Sequence, residues 1–174
     1  MTKNYLKQYF EELKNLYLKE FGTNPTTPYF DNCSLFDSKE DEDGYAEWLP
    51  LEVENIDIKN KEKLNDELIE FYSSYYYLTL RGTYKDIHFD FDINLYSNEL
   101  INNFIDNAIK NGEYYFKSDN YILIATACMD GNDDILVFYD VDDEKVFLYD
   151  QELEEKIGNV FELKEIIKNL SPDI

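Results

Sequence analysis

Three apolar runs in the last third of the chain, residues 121–127, 135–139 and 145–149, are separated by the turn-forming clusters 130–134 and 140–144. Runs this short, joined by polar turns, pair with their immediate neighbours, so the segment reads as an antiparallel meander. Such a sheet must bury one face. Upstream, Leu6, Phe10, Leu13, Tyr17 and Phe21 recur at steps of three and four, and Gly22 stands as the stop of a first helix. Leu64, Leu68, Phe71, Tyr72 and Tyr75 keep helical spacing over residues 61–76, which predicts a second helix giving way to a strand near 76–80. Ser97 or Asn98 caps a third helix with the stripe Leu100, Ile101, Phe104, Ile105, Ala108 and Ile109, ending near Gly112. Residues 161–170 close the chain as a helix offering Phe161, Ile166, Ile167 and Leu170 to the core.

Between the second and third helices, Ile87, Phe89, Phe91, Ile93 and Leu95 alternate with His88, Asp90, Asp92 and Asn94, as on a strand with one buried and one wet face. Residues 32–36 read as a short strand and 45–53 as an extended edge segment carrying Trp48, the only tryptophan, into the core. The expectation is a single α+β domain over residues 1–174. Its mixed or antiparallel sheet ends in the C-terminal meander and is packed by the N-terminal, central and C-terminal helices. With 44% hydrophobic and 17% aromatic residues, the chain is too apolar for disorder despite a formal net charge of -22.

That charge is concentrated. Residues 31–57 hold ten acids against the single base Lys39, and residues 130–156 hold eleven against Lys145 and Lys156. Clustering like charges costs self-repulsion in a compact state, so the pattern points to a cationic partner; solvated acidic loops are the alternative. Acidity excludes ordinary nucleic-acid binding, which rests on Lys and Arg at phosphates, and there is no polybasic patch for an anionic membrane. Residues 1–8 are polar and lack the apolar core of a signal peptide, and no run approaches a membrane span, so a cytoplasmic location is expected. Cys33 and Cys128 are too few for a disulfide framework, and Cys128, within the apolar run 121–129, is expected as a buried thiol.

Catalytic motifs are missing. His88 is the only histidine, and there is no phosphate-binding GxxxxGK[ST] loop, HExxH, GxSxG or CxxC. His88, Asp90 and Asp92 share a strand face in the manner of a metal site, but alternation alone produces that row, and no metal or cofactor is predicted. Asp130, Asn132 and Asp134 echo a calcium loop, yet Gly131 is misplaced and Val141 stands where the bidentate Glu belongs. The carboxylates Asp140, Asp142, Asp143 and Glu144 read as a hairpin turn. The candidate site is therefore a partner-binding one, made of Glu40, Asp41, Glu42, Asp43, Asp90, Asp92, Asp133, Asp134, Asp142 and Asp143, with no catalytic residue.

The order of elements, with Trp48-Leu49-Pro50, Phe71-Tyr72-Ser73-Ser74 and the strand Ile122-Leu123-Ile124-Ala125-Thr126, resembles the Syd family of the SUKH superfamily across nearly the whole chain. The resemblance implies an α+β fold without catalysis. It implies one of two cationic partners: a cognate basic toxin domain of a bacterial polymorphic toxin system, neutralised by an immunity protein, or the Lys/Arg-rich cytosolic loops of the SecY translocon subunit, which would place the protein peripherally at the inner membrane face. The chain departs from Syd proper in its acidic tracts and Asp-rich hairpins, where superfamily immunity proteins diversify, and this favours the immunity reading. A carboxylate-based enzyme or metal protein is the third alternative.

Overall fold

The structure, a computed structural model, describes residues 1–91 and 94–174. In chain order the elements are α1 (Thr2–Glu20), β1 (Thr26–Pro28), β2 (Tyr45–Glu47), β3 (Leu51–Glu52), a 3₁₀ turn (Lys61–Lys63), α2 (Asp66–Ser73), β4 (Tyr75–Tyr76), β5 (Arg81–Tyr84) and β6 (Ile87–Phe91). They continue with α3 (Asn98–Phe116), β7 (Tyr121–Met129), β8 (Asn132–Asp140), β9 (Lys145–Asp150), β10 (Glu155–Phe161), α4 (Leu163–Asn169) and β11 (Ser171–Pro172). Seven strands make one sheet in the order β10-β9-β8-β7-β6-β5-β11, with every pairing antiparallel. The expected meander is present and longer than predicted, and the result is a single α+β domain.

Turn chemistry sets the meander's register. Asp130 and Gly131 both take positive φ between the paired residues Met129 and Asn132, which is the two-residue geometry that matches strand twist and that Asp-Gly supplies at least strain. Lys85 and Asp86 do the same between Tyr84 and Ile87. On the next two hairpins an aspartate ends the strand and ties the loop. Asp140 Oδ1 accepts from the N–H groups of Asp142 (3.1 Å) and Asp143 (3.2 Å). Asp150 Oδ1 accepts from Glu152 and Leu153, both at 2.9 Å.

The sheet's inner face carries Phe89, Phe91, Ala127, Val137, Tyr139, Val146 and Leu148 into one core with Leu6 and Leu13 of α1, Leu68 and Phe71 of α2, and Leu163, Ile166 and Ile167 of α4. Trp48, 1% exposed, joins that core as expected. The outer face bears the alternate residues. Its β7–β9 part holds Leu136, Phe138, Phe147 and Tyr149, covered by Tyr115 and Phe116 from the last turn of α3. Its β5–β6 part holds Arg81, His88 and Asp90.

Several predicted boundaries move. Residues 32–36 form turns, with only Phe36 bridging to Trp48, and 45–53 divides into two short strands. The second helix is confined to α2 because Asn65 caps it, accepting from Leu68 N at 3.1 Å. The strand expected near 76–80 falls instead on β4 and β5. The third helix starts as expected, with Ser97 Oγ accepting from Leu100 N, but runs through Gly112 to Phe116 and ends at Lys117 in the left-handed conformation. Phe161 belongs to β10, and Phe21 is 60% exposed beyond the buried stripe of α1. Cys128, expected to be buried, lies on the outer face and is partly exposed.

Candidate protein-binding surfaces

The acidic turn 40–43 is built around Asp41, whose Oδ1 accepts from Asp43 N (3.0 Å) and Tyr45 N (2.8 Å) ahead of β2. That geometry aims Glu40, Glu42 and Asp43 into solvent, and all four residues are exposed. Tyr45, just past the turn, lines a cleft of about 490 Å³ whose walls also include Tyr17, Phe30 and Trp48, with Arg81 and Asp173. Sequence reasoning passed over this cleft. Its available signal was Arg81, the only arginine among sixteen basic residues.

Asp133 and Asp134 open β8, and Asp142 and Asp143 follow its other end; all four are exposed. The six strand steps from Asp134 to Asp140, at about 3.4 Å each, hold the two pairs roughly 20 Å apart. The predicted site residues therefore do not form one patch. Asp133 and Asp134 share an end of the sheet with the β9–β10 loop, and Asn132 Nδ2 donating to Asp150 Oδ2 (2.7 Å) and Gln151 N donating to Asp134 O (3.1 Å) join the two turns. Asp130, Glu152 and Glu154 are exposed there too.

Asp90 differs from the turn residues. It sits mid-strand on the outer face, opposite Arg81 on β5 and Thr126 on β7. Burial pushes its carboxyl above the usual carboxylate range, against the opposing charges of Arg81 and His88, and its buried Oδ1 has no hydrogen-bond partner among the described residues. Asp92, the tenth predicted residue, lies outside the described residues. His88 does not join Asp90 in a ligand set: its Nδ1 meets Asp173 Oδ2 at 2.7 Å, which ties the C-terminal strand to the sheet. Among the described residues no cluster of His, Cys, Asp and Glu is placed to hold a metal ion, and no helix is long and apolar enough to cross a membrane.

None of the eight exposed turn carboxylates forms an ion pair among the described residues; the bases that do pair engage Glu20, Glu52, Glu70, Glu113, Asp119, Glu162 and Asp173. Neither a family model nor a curated protein matches the chain.

Proposed function

We propose that this protein is a non-enzymatic acidic binding module that captures a cationic protein, and specifically an immunity protein that neutralises a cognate basic toxin domain. The observation that carries this reading is that Glu40, Asp41, Glu42, Asp43, Asp133, Asp134, Asp142 and Asp143 form no ion pair among the described residues. A domain with sixteen bases leaves these acids unpaired on rigid hairpins, where they hold a fixed negative potential in water. Fixed complementary charge speeds encounter with a basic protein and rejects acidic ones. The choice of a toxin rests on the resemblance to the SUKH superfamily.

Co-expression with the toxin encoded beside this gene tests the reading. Rescue of growth is expected, and its loss when Asp133, Asp134, Asp142 and Asp143 are changed to Asn in a protein that still folds. Failure of the unaltered protein to rescue overturns the immunity role. Salt-sensitive capture on membranes containing SecY, and not on membranes lacking it, would then assign the acidic surface to the translocon.

A further inference from the structure

Among the described residues β6 pairs with β7 from Ala125 to Cys128, and α3 closes on the start of β7, with Gly112 against the backbone of Tyr121. At this junction β7 carries a bulge between Leu123 and Ala125. Helix, strand end and bulge leave an open notch of about 250 Å³ lined by Asp90, Phe91, Phe104, Leu123, Ile124, Ala125 and Thr126. Every lining residue except Asp90 and Thr126 is apolar. Neither Arg81 nor His88 reaches it.

Two facts about this notch need a common occupant. Asp90 Oδ1 is buried with no hydrogen-bond partner among the described residues, an arrangement that folded proteins seldom leave in place without a purpose. The volume is below the roughly 300–1,000 Å³ of sites for whole small molecules, and so matches a single side chain. Water can hydrogen-bond the Asp90 carboxylate where it lines the notch but leaves the Phe104 and Leu123 walls wet. An alkyl chain ending in a positive charge satisfies both, because the apolar stem of Lys or Arg packs while its head group donates.

We propose that the notch is the anchor site for one lysine or arginine side chain of the partner protein, its charged end on Asp90 and its stem against Phe104 and Leu123. This rests on the reading of the chain as a module for a cationic protein, and it adds a specific pocket to the diffuse attraction of the acidic turns. Anchors that fill a pocket dominate interface energetics, whereas rim charges mainly set encounter rates.

Titration of the ¹⁵N-labelled protein with n-butylguanidinium, and with n-butanol as a neutral match, reads the notch without any partner. Saturable shifts are expected at the amides of Asp90, Phe91 and residues 123–126, with n-butanol at least tenfold weaker. Asp90→Asn should weaken the cation at least fivefold. Thr126→Trp, placed at an exposed position on the rim, should abolish the shifts, and Glu42→Gln with Asp43→Asn should leave them unchanged. Shifts confined to the acidic turns, or equal affinity in Asp90→Asn, overturn the proposal. Partner capture separates the two ideas: if Thr126→Trp captures the toxin as tightly as the unaltered protein, the anchor fails while the acidic module stands. If no variant rescues cells, the module fails, and the titration still decides what the notch takes.

Discussion

Gly112 of α3 lies against the backbone of β7 so closely that a β-carbon built on it would stand 1.7 Å from the carbonyl oxygen of Tyr121. The contact is with backbone, so no side-chain rotation can relieve it. This approach sets the end of α3 against the start of β7, and it carries Tyr115 and Phe116 over the outer aromatic cluster.

Gly112→Ala is therefore expected to destabilise the domain by about 3 kcal/mol, at the upper end of what overpacking costs, although alanine is the better helix former. Urea unfolding of the two proteins checks this. A stability equal to or above that of the unaltered protein would show that α3 can step back from β7.

Asp150 is 4% exposed, and its two oxygens accept from Glu152 N, Leu153 N and Asn132 Nδ2. Asp150→Ala removes all three hydrogen bonds at a buried site, with an expected loss of about 3 kcal/mol. Asp142 and Asp143 are exposed and their side chains make no ion pair among the described residues, so Asp142→Asn and Asp143→Asn should stay within about 0.5 kcal/mol. Chemical denaturation of the three variants separates turn-building acids from free ones.

This division explains what could be read from the amino acids and what could not. The alternation at 87–91 and the Asp-rich breaks at 130–134 and 140–144 name strands and hairpins because side-chain period and turn chemistry are local. Gly112 looks like a helix stop for an equally local reason, and only its packing against Tyr121 shows that the helix needs it for close approach. Strand β10 escaped notice because it is an edge strand, largely exposed, with Gly158 at positive φ within a register shift, so it has no apolar alternation to show. Strand β11 is two residues long and includes Pro172. The candidate site suffers in the same way. Charge density finds Glu40 to Asp43 and Asp133 to Asp143, but cannot tell that β8 separates Asp133 from Asp142, nor that Asp90 is half-buried beside an apolar notch.

Asp90 carries a definite sign of pH dependence. Its folded-state pKa is raised by burial, partly offset by Arg81 and His88. The fold therefore favours the protonated acid: its contribution is fully present below the ordinary value of about 3.9 and is lost as pH rises through the folded value. At pH 7 the ionised group is a liability. Asp90→Asn should be more stable than the unaltered protein at pH 7, and the difference should vanish at pH 3. Urea midpoints at the two pH values measure it; a less stable variant at pH 7 would mean that the carboxylate is held by a favourable charge. Because the same change should weaken binding of an alkyl cation, stability and binding move in opposite directions, as expected for a group retained for function.

The exposed turns should act on the rate of partner capture more than on its lifetime. Glu40, Glu42 and Asp43 contribute no ion pair among the described residues, and Asp41, which builds the turn, can be left in place. Changing the three to Gln, Gln and Asn removes charge without removing a structural hydrogen bond, so the melting temperature should hold. If the turn steers a basic partner, the association rate falls several-fold at low salt, while the dissociation rate changes little. Raising salt to about 0.5 M shortens the screening length to a few ångström and should bring the variant and the unaltered protein to the same association rate. Stopped-flow or surface-based kinetics across a salt series reads both constants. An unchanged association rate at low salt would remove this turn from the encounter surface and leave the end of the sheet bearing Asp133, Asp134, Glu152 and Glu154 as the steering region.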